Sequence, residues 1–95
     1  MADRILRELF EVIEQRKVNK PEDSYTVSLL TDEKGRDAIL EKIGEESTEV
    51  LLAAKSDDRE AVAHESADLV YHLLVLLAAM DMDLDDLEAA LRERR

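Results

Sequence analysis

Hydrophobic residues along the first part of the chain recur every three or four positions. Ile5, Leu6, Leu9, Phe10, Val12 and Ile13 mark one apolar face, which predicts a helix from Arg4 to Lys17 with Asp3 as its N-cap. Asn19 to Ser24 reads as a loop, because Pro21 disfavours helical geometry at Lys20. Tyr25, Val27 and Leu29 alternate as in a strand, yet a lone strand would have no pairing partner, so a short helix capped by Ser24 is the better expectation. A second long helix is expected from Glu33 or Lys34 to Lys55. A third runs on to Met80, with Asp57 and Glu60 spaced as a capping box. Asp83 then caps a last helix with Leu84, Leu87 and Leu91 on its apolar side, and Arg92, Arg94 and Arg95 suit the negative end of its dipole.

The third long helix differs from the others. From Leu69 to Ala79 it is apolar on nearly every side, and such a helix must be buried on every side. Three other helices of a small chain can hardly enclose it, so a second copy is expected to cover the rest, most simply as a two-fold dimer. The expected fold is all-α: a bundle of four main helices plus a short one, a single domain over residues 1–95, completed as a homodimer.

Composition agrees with helices, since only 2 Gly and 1 Pro interrupt 95 residues. Lys and Arg number 13 against 24 Asp and Glu, and a net charge of −11 opposes binding to a nucleic-acid backbone. The absence of cysteine excludes disulfides and thiolate catalysis. The N-terminus lacks the plan of a signal peptide, and the apolar run Leu73 to Met80 is too short to span a membrane. A cytoplasmic protein with no membrane or nucleic-acid partner is expected.

Some of the acids fall where acids are disfavoured. On a helical wheel of about 100° per residue, Ile39, Ile43 and Val50 cluster within about 40°, and Glu46 falls among them. Glu49 and Lys42 lie about 60° to one side, with Glu45 a little further round. On the next helix Val62, Leu69, Leu73 and Met80 define an apolar centre, flanked by Glu65, Asp68 and His72. An ionised carboxylate in an apolar stripe is costly unless it is compensated. Each helix thus carries a pair of acids three residues apart, Glu46 with Glu49 and Glu65 with Asp68, and each pair can point at one spot. In an acidic chain one such pair is often only a solvated face. Two pairs on antiparallel neighbours can face each other, an arrangement that divalent cations make tolerable. Oxygen ligands favour Mg²⁺ or Mn²⁺ over zinc. A di-iron bundle would need Glu-x-x-His motifs, and Ala61 and Leu69 stand three residues before His64 and His72. His72 is expected in the core, one turn from Asp68 and able to hydrogen-bond a ligand carboxylate, and His64 at the surface.

The Glu-x-x-Glu and Glu-x-x-Asp motifs, separated by the spacer Val50 to His64, resemble those of the MazG-type all-α nucleoside triphosphate pyrophosphohydrolases. Longer stretches are similar to one branch, the phosphoribosyl-ATP pyrophosphatases: Lys20 to Thr26, Lys42 to Val50, Ala53 to Lys55 and Glu65 to Leu69. The resemblance covers roughly Leu6 to Leu87 and implies an obligate dimer with a Mg²⁺ site. It also implies hydrolysis between the α and β phosphates of phosphoribosyl-ATP, giving phosphoribosyl-AMP and pyrophosphate, the second step of histidine biosynthesis. By position it implies Glu46, Glu49, Glu65 and Asp68 as metal ligands, and Glu45 as a further ligand or the residue that orients water. Glu45 or Glu46 would accept the proton of the attacking water. Lys42 and Lys55 become candidates for phosphate binding, and Ser24, Tyr25 and Thr26 for substrate contact. Two alternatives stay open: a housecleaning pyrophosphohydrolase acting on (deoxy)nucleoside triphosphates, and a non-enzymatic helical dimerisation module.

Overall fold

A computed structural model describes residues 2–95, and the described residues form helices without any strand. In chain order these are α1 (Ala2–Asn19), α2 (Tyr25–Leu30), α3 (Arg36–Lys55), α4 (Arg59–Ala79) and α5 (Leu84–Glu93). The all-α expectation holds, including the short helix α2 in place of a strand. Its N-cap is Ser24, whose side chain accepts from the Val27 N–H.

Several boundaries move for local reasons. α1 begins at Ala2, so Asp3 lies within the helix rather than at its cap. It ends as Lys20 turns left-handed, at φ 49°, just before Pro21. α3 starts at Arg36, later than the pattern suggested. Asp32 organises the turn before it, accepting the Lys34 N–H at its side chain and the Gly35 N–H at its carbonyl. Gly35 then adopts φ 64°, a conformation open to glycine at little expense. The cap of α4 is Asp58, which accepts from the Ala61 N–H. The cap is displaced by one residue from the expected Asp57, which takes the left-handed turn at φ 54°, and with Ala61 at the third helical position the expected box with Glu60 does not form. α5 is capped as expected by Asp83, in a reciprocal box with Asp86.

α3 and α4 form an antiparallel hairpin, and α1 and α2 pack across its open end. The core joins Phe10 and Ile13 of α1, Leu29 of α2, Ile39 of α3, and Leu74, Val75 and Ala78 of α4, with Leu84 of α5 closing it. Lys17 ties α1 to the end of α4, donating to the Ala78 carbonyl at 2.7 Å and to Asp81 at 2.6 Å. That pairing holds Lys17 above the ordinary lysine pKa and Asp81 below the ordinary aspartate pKa.

The buried side of α4 is rotated from the one expected. His72, Leu74, Val75 and Ala78 face the core, whereas Leu73 and Met80 are 40% and 44% exposed. Because the helix is apolar all round, its sequence could not say which side meets α1. Val70, Leu73 and Met80 are left as an exposed apolar line at spacings of three and seven. By length and composition alone α4, at 21 residues, reaches the threshold of a membrane span. Here it is the core helix of the bundle and carries Glu60, Glu65 and Asp68.

Candidate active site

Midway along the α3–α4 hairpin, Glu46 faces Glu65 and Asp68. Each offers one carboxylate oxygen, and these oxygens lie within 4.8 Å of one another. α3 supplies Glu46 on the flank it turns toward α4, so its side chain is only 13% exposed. α4 supplies Glu65 and Asp68 from successive turns, which superposes them on one face. Burial, then the charges of Glu46 and Asp68, raise Glu65 above the ordinary glutamate pKa. Three carboxylates at this separation repel one another and attract cations.

Glu49 is exposed and lies outside this group of three, though its charge still acts on Glu65. Glu45 is exposed one residue before Glu46 and lies 3.6 Å from the Lys42 ammonium, which is also 3.9 Å from Glu46. Lys42 is held above the ordinary lysine pKa by the Tyr25 phenol as it ionises and then by Glu45 and Glu46. Lys55 is the exposed last residue of α3, about 13 Å further along the axis than Glu46 at 1.5 Å per residue.

His72 is buried, 5% exposed, and its hydrogen bonds define its role. Its Nδ1 lies 2.7 Å from the Asp68 backbone carbonyl, which only accepts, so Nδ1 carries the hydrogen. Nε2 of the neutral ring is then an acceptor, and the Tyr25 hydroxyl donates to it at 2.9 Å. The expected bond from His72 to a carboxylate is therefore absent: the ring holds the Asp68 backbone instead. His64 is exposed as expected, 3.9 Å from Asp68.

Of the Ser24–Thr26 segment, only Tyr25 presents a substantial exposed surface, 49%. Burial raises its phenol above the ordinary tyrosine pKa. Ser24 caps α2 and accepts from Arg16, and buried Thr26 hydrogen-bonds the Tyr71 hydroxyl. Tyr71 was read from the sequence only as part of an apolar run. It stacks on Tyr25 with ring centroids 6.1 Å apart and meets His72 edge-on at 5.0 Å. Neighbours on a helix point about 100° apart, so its position beside His72 carried no signal of this contact.

The donor set fits a hard divalent cation. Ligand oxygens on an octahedral ion with bonds of about 2.0–2.1 Å stand roughly 3–4 Å apart, so small side-chain rotations bring the three oxygens into range. No thiolate donor exists in the chain, and both nitrogens of His72 are already engaged.

Residues 6–95 match the family model described as phosphoribosyl-ATP pyrophosphohydrolase. A phosphoribosyl-ATP pyrophosphatase of Haloarcula marismortui is 66% identical over 91 residues, covering 96% of this chain and 93% of the relative. The protein of that name from Halobacterium salinarum is 63% identical over 91 residues, covering 95% and 96%. Another, from Methanocella arvoryzae, is 48% identical over 95 residues, covering 100% and 99%. With its whole bundle from Leu6 onward inside that match, the chain belongs to the phosphoribosyl-ATP pyrophosphohydrolase family.

Proposed function

We propose that this protein hydrolyses phosphoribosyl-ATP between its α and β phosphates, releasing phosphoribosyl-AMP and pyrophosphate, as the second step of histidine biosynthesis. The observation that carries the reading is the group of Glu46, Glu65 and Asp68 within 4.8 Å, in a chain that belongs to this family. All five helices act as one catalytic domain over residues 1–95, in the cytoplasm.

In this reading Glu46, Glu65 and Asp68 would hold Mg²⁺, or Mn²⁺ in its place, with exposed Glu49 as a further ligand. The bound cation supplies the positive charge that offsets the phosphate oxygens and the leaving pyrophosphate. Glu45 or Glu46 takes the proton from the attacking water; Glu45, exposed and outside the ligand group, is the freer of the two. Lys42, between that acid and Tyr25, would turn from its ion pairs to a phosphate of the substrate. Lys55 lies beyond reach of the same phosphate in one extended chain and meets a more distant part of the substrate. Tyr25 offers its exposed ring to the nucleotide, while Ser24 and Thr26 hold α2 in place. His72 fixes the Asp68 backbone and orients the Tyr25 hydroxyl. The second copy of a homodimer covers the apolar line of Val70, Leu73 and Met80.

The test is pyrophosphate release from phosphoribosyl-ATP with and without Mg²⁺, beside ATP, dCTP and dUTP. Mg²⁺-dependent release from phosphoribosyl-ATP alone is expected. Preferential turnover of dCTP or dUTP would overturn the substrate assignment while keeping the carboxylate site, and no release from any of them would overturn both.

A further inference from the structure

Apart from the carboxylate site, a cleft of about 420 Å³ opens where the end of α1 meets α2 and the start of α3. Its lining includes Arg16, Lys17, Lys20 and Arg36, together with half-buried Leu30 and Ala79. Among the described residues no Asp or Glu lines it, although acids outnumber bases by 24 to 13 in the chain. The lining is therefore a local reversal of the protein's charge, carried by the three bases that Asp81 does not neutralise. Lys17 is spent on Asp81, but among the described residues Arg16, Lys20 and Arg36 pair with no carboxylate. The Arg16 guanidinium donates through one nitrogen to Ser24, at 3.1 Å, and its other donors stay available. Gly35, also in the lining, caps α3 without a side-chain hydrogen bond. The positive end of a long helix therefore opens on the same cleft.

We propose that this cleft is a second binding site, taking the phosphate group of a small phosphorylated molecule whose apolar part rests on Leu30 and Ala79. Two guanidiniums suit bidentate pairing with phosphate oxygens, and the volume lies within the range of small-molecule sites. Arg16 also touches the N-cap of α2, next to Tyr25, whose hydroxyl reaches His72 and through it the Asp68 backbone. Ser24, Tyr25 and His72 thus connect a phosphate on Arg16 to the Asp68 backbone. The ligand is either the far phosphate of the substrate itself or a separate phosphorylated effector. The site rests on the cleft's own residues and does not depend on the metal reading.

The test is calorimetric titration of the intact chain with inorganic phosphate, at fixed ionic strength in EDTA so that no cation draws phosphate to the carboxylates. Saturable binding is expected, weakened about tenfold or more in Arg36→Gln and Arg16→Gln, as for loss of a charge-assisted pair. It should be unchanged in Glu46→Gln. Lys20→Gln, in the exposed loop, serves as a third cleft variant if Arg16→Gln disturbs α2. No saturable binding, or equal binding by all cleft variants, would overturn the site. Turnover then separates the two sources. A raised KM for phosphoribosyl-ATP in Arg36→Gln at unchanged kcat, with phosphate competing, assigns the cleft to the substrate. An unchanged KM, with phosphate altering kcat, assigns it to an effector.

Discussion

Replacing Glu46 by Gln separates the charge problem of the hairpin from its solution. At a separation of 4.8 Å, two unit charges interact by about 0.9 kcal/mol in a water-like medium and about 3.5 kcal/mol at an effective dielectric of 20. Glu46 is 13% exposed, but Asp68 is 44% exposed and its field is well screened, so the lower end, about 1 kcal/mol, is the better measure of their repulsion. Losing the contact to Lys42 at 3.9 Å subtracts a few tenths of a kcal/mol. Metal-free Glu46→Gln should therefore be more stable than the parent by about 0.5–1 kcal/mol, which raises Tm by about 2–8 °C in a domain of this size. Adding Mg²⁺ reverses the ranking. At a hundredfold excess over its Kd, a ligand that binds only the folded chain contributes about 2.7 kcal/mol, or roughly 10–20 °C. The parent should show that rise and Glu46→Gln should lose most of it, together with turnover. Circular-dichroism melting in EDTA and in Mg²⁺, at one protein concentration, reads both effects. A variant that keeps the full Mg²⁺ shift would refute the ligand assignment, and one that melts lower in EDTA would refute the repulsion on which it rests.

Other consequences follow from single contacts. Glu65 is raised above 4.5 in the folded state, so the folded chain binds its proton more tightly than the unfolded chain. Metal-free stability should fall as pH rises from 4.5 through the raised value, and Glu65→Gln should flatten that part of a melting-versus-pH profile; an unchanged slope would contradict it. Tyr25→Phe removes the donor to the buried His72 Nε2 and should cost about 1 kcal/mol, read by urea denaturation, with no loss expected in a His72→Leu background. Leu73→Glu puts a charge on the exposed apolar line of α4. By light scattering it should convert the proposed homodimer to a folded monomer, and an unaltered mass would overturn this line as its interface.

The sequence was most readable where one residue decides its own surroundings. Ser24 and Asp83 cap their helices as their side-chain chemistry requires, and Glu46 is nearly buried because Ile39 lies within about 20° of it on the wheel. It was less readable where a choice is made between elements. Asp57 and Asp58 are equally good caps, and only the left-handed turn at Asp57 selects Asp58. The core-facing side of α4 was out of reach for a similar reason. With apolar residues all round the helix, the position of α1 decides whether Leu73 or Leu74 is buried.

Helix α4 shows how the site and the fold constrain each other. Its carboxyl-terminal half is buried by α1 through Leu74, Val75 and Ala78, while Glu65 and Asp68 stand in the half that α1 leaves uncovered. His72 joins the two, buried as part of the core while one nitrogen holds the Asp68 backbone and the other receives Tyr25. An apolar residue there would keep the packing but leave the Tyr25 hydroxyl without its acceptor, freeing that side chain at the edge of the carboxylates. The core thus fixes where the acids stand, and His72 is the point at which packing becomes positioning.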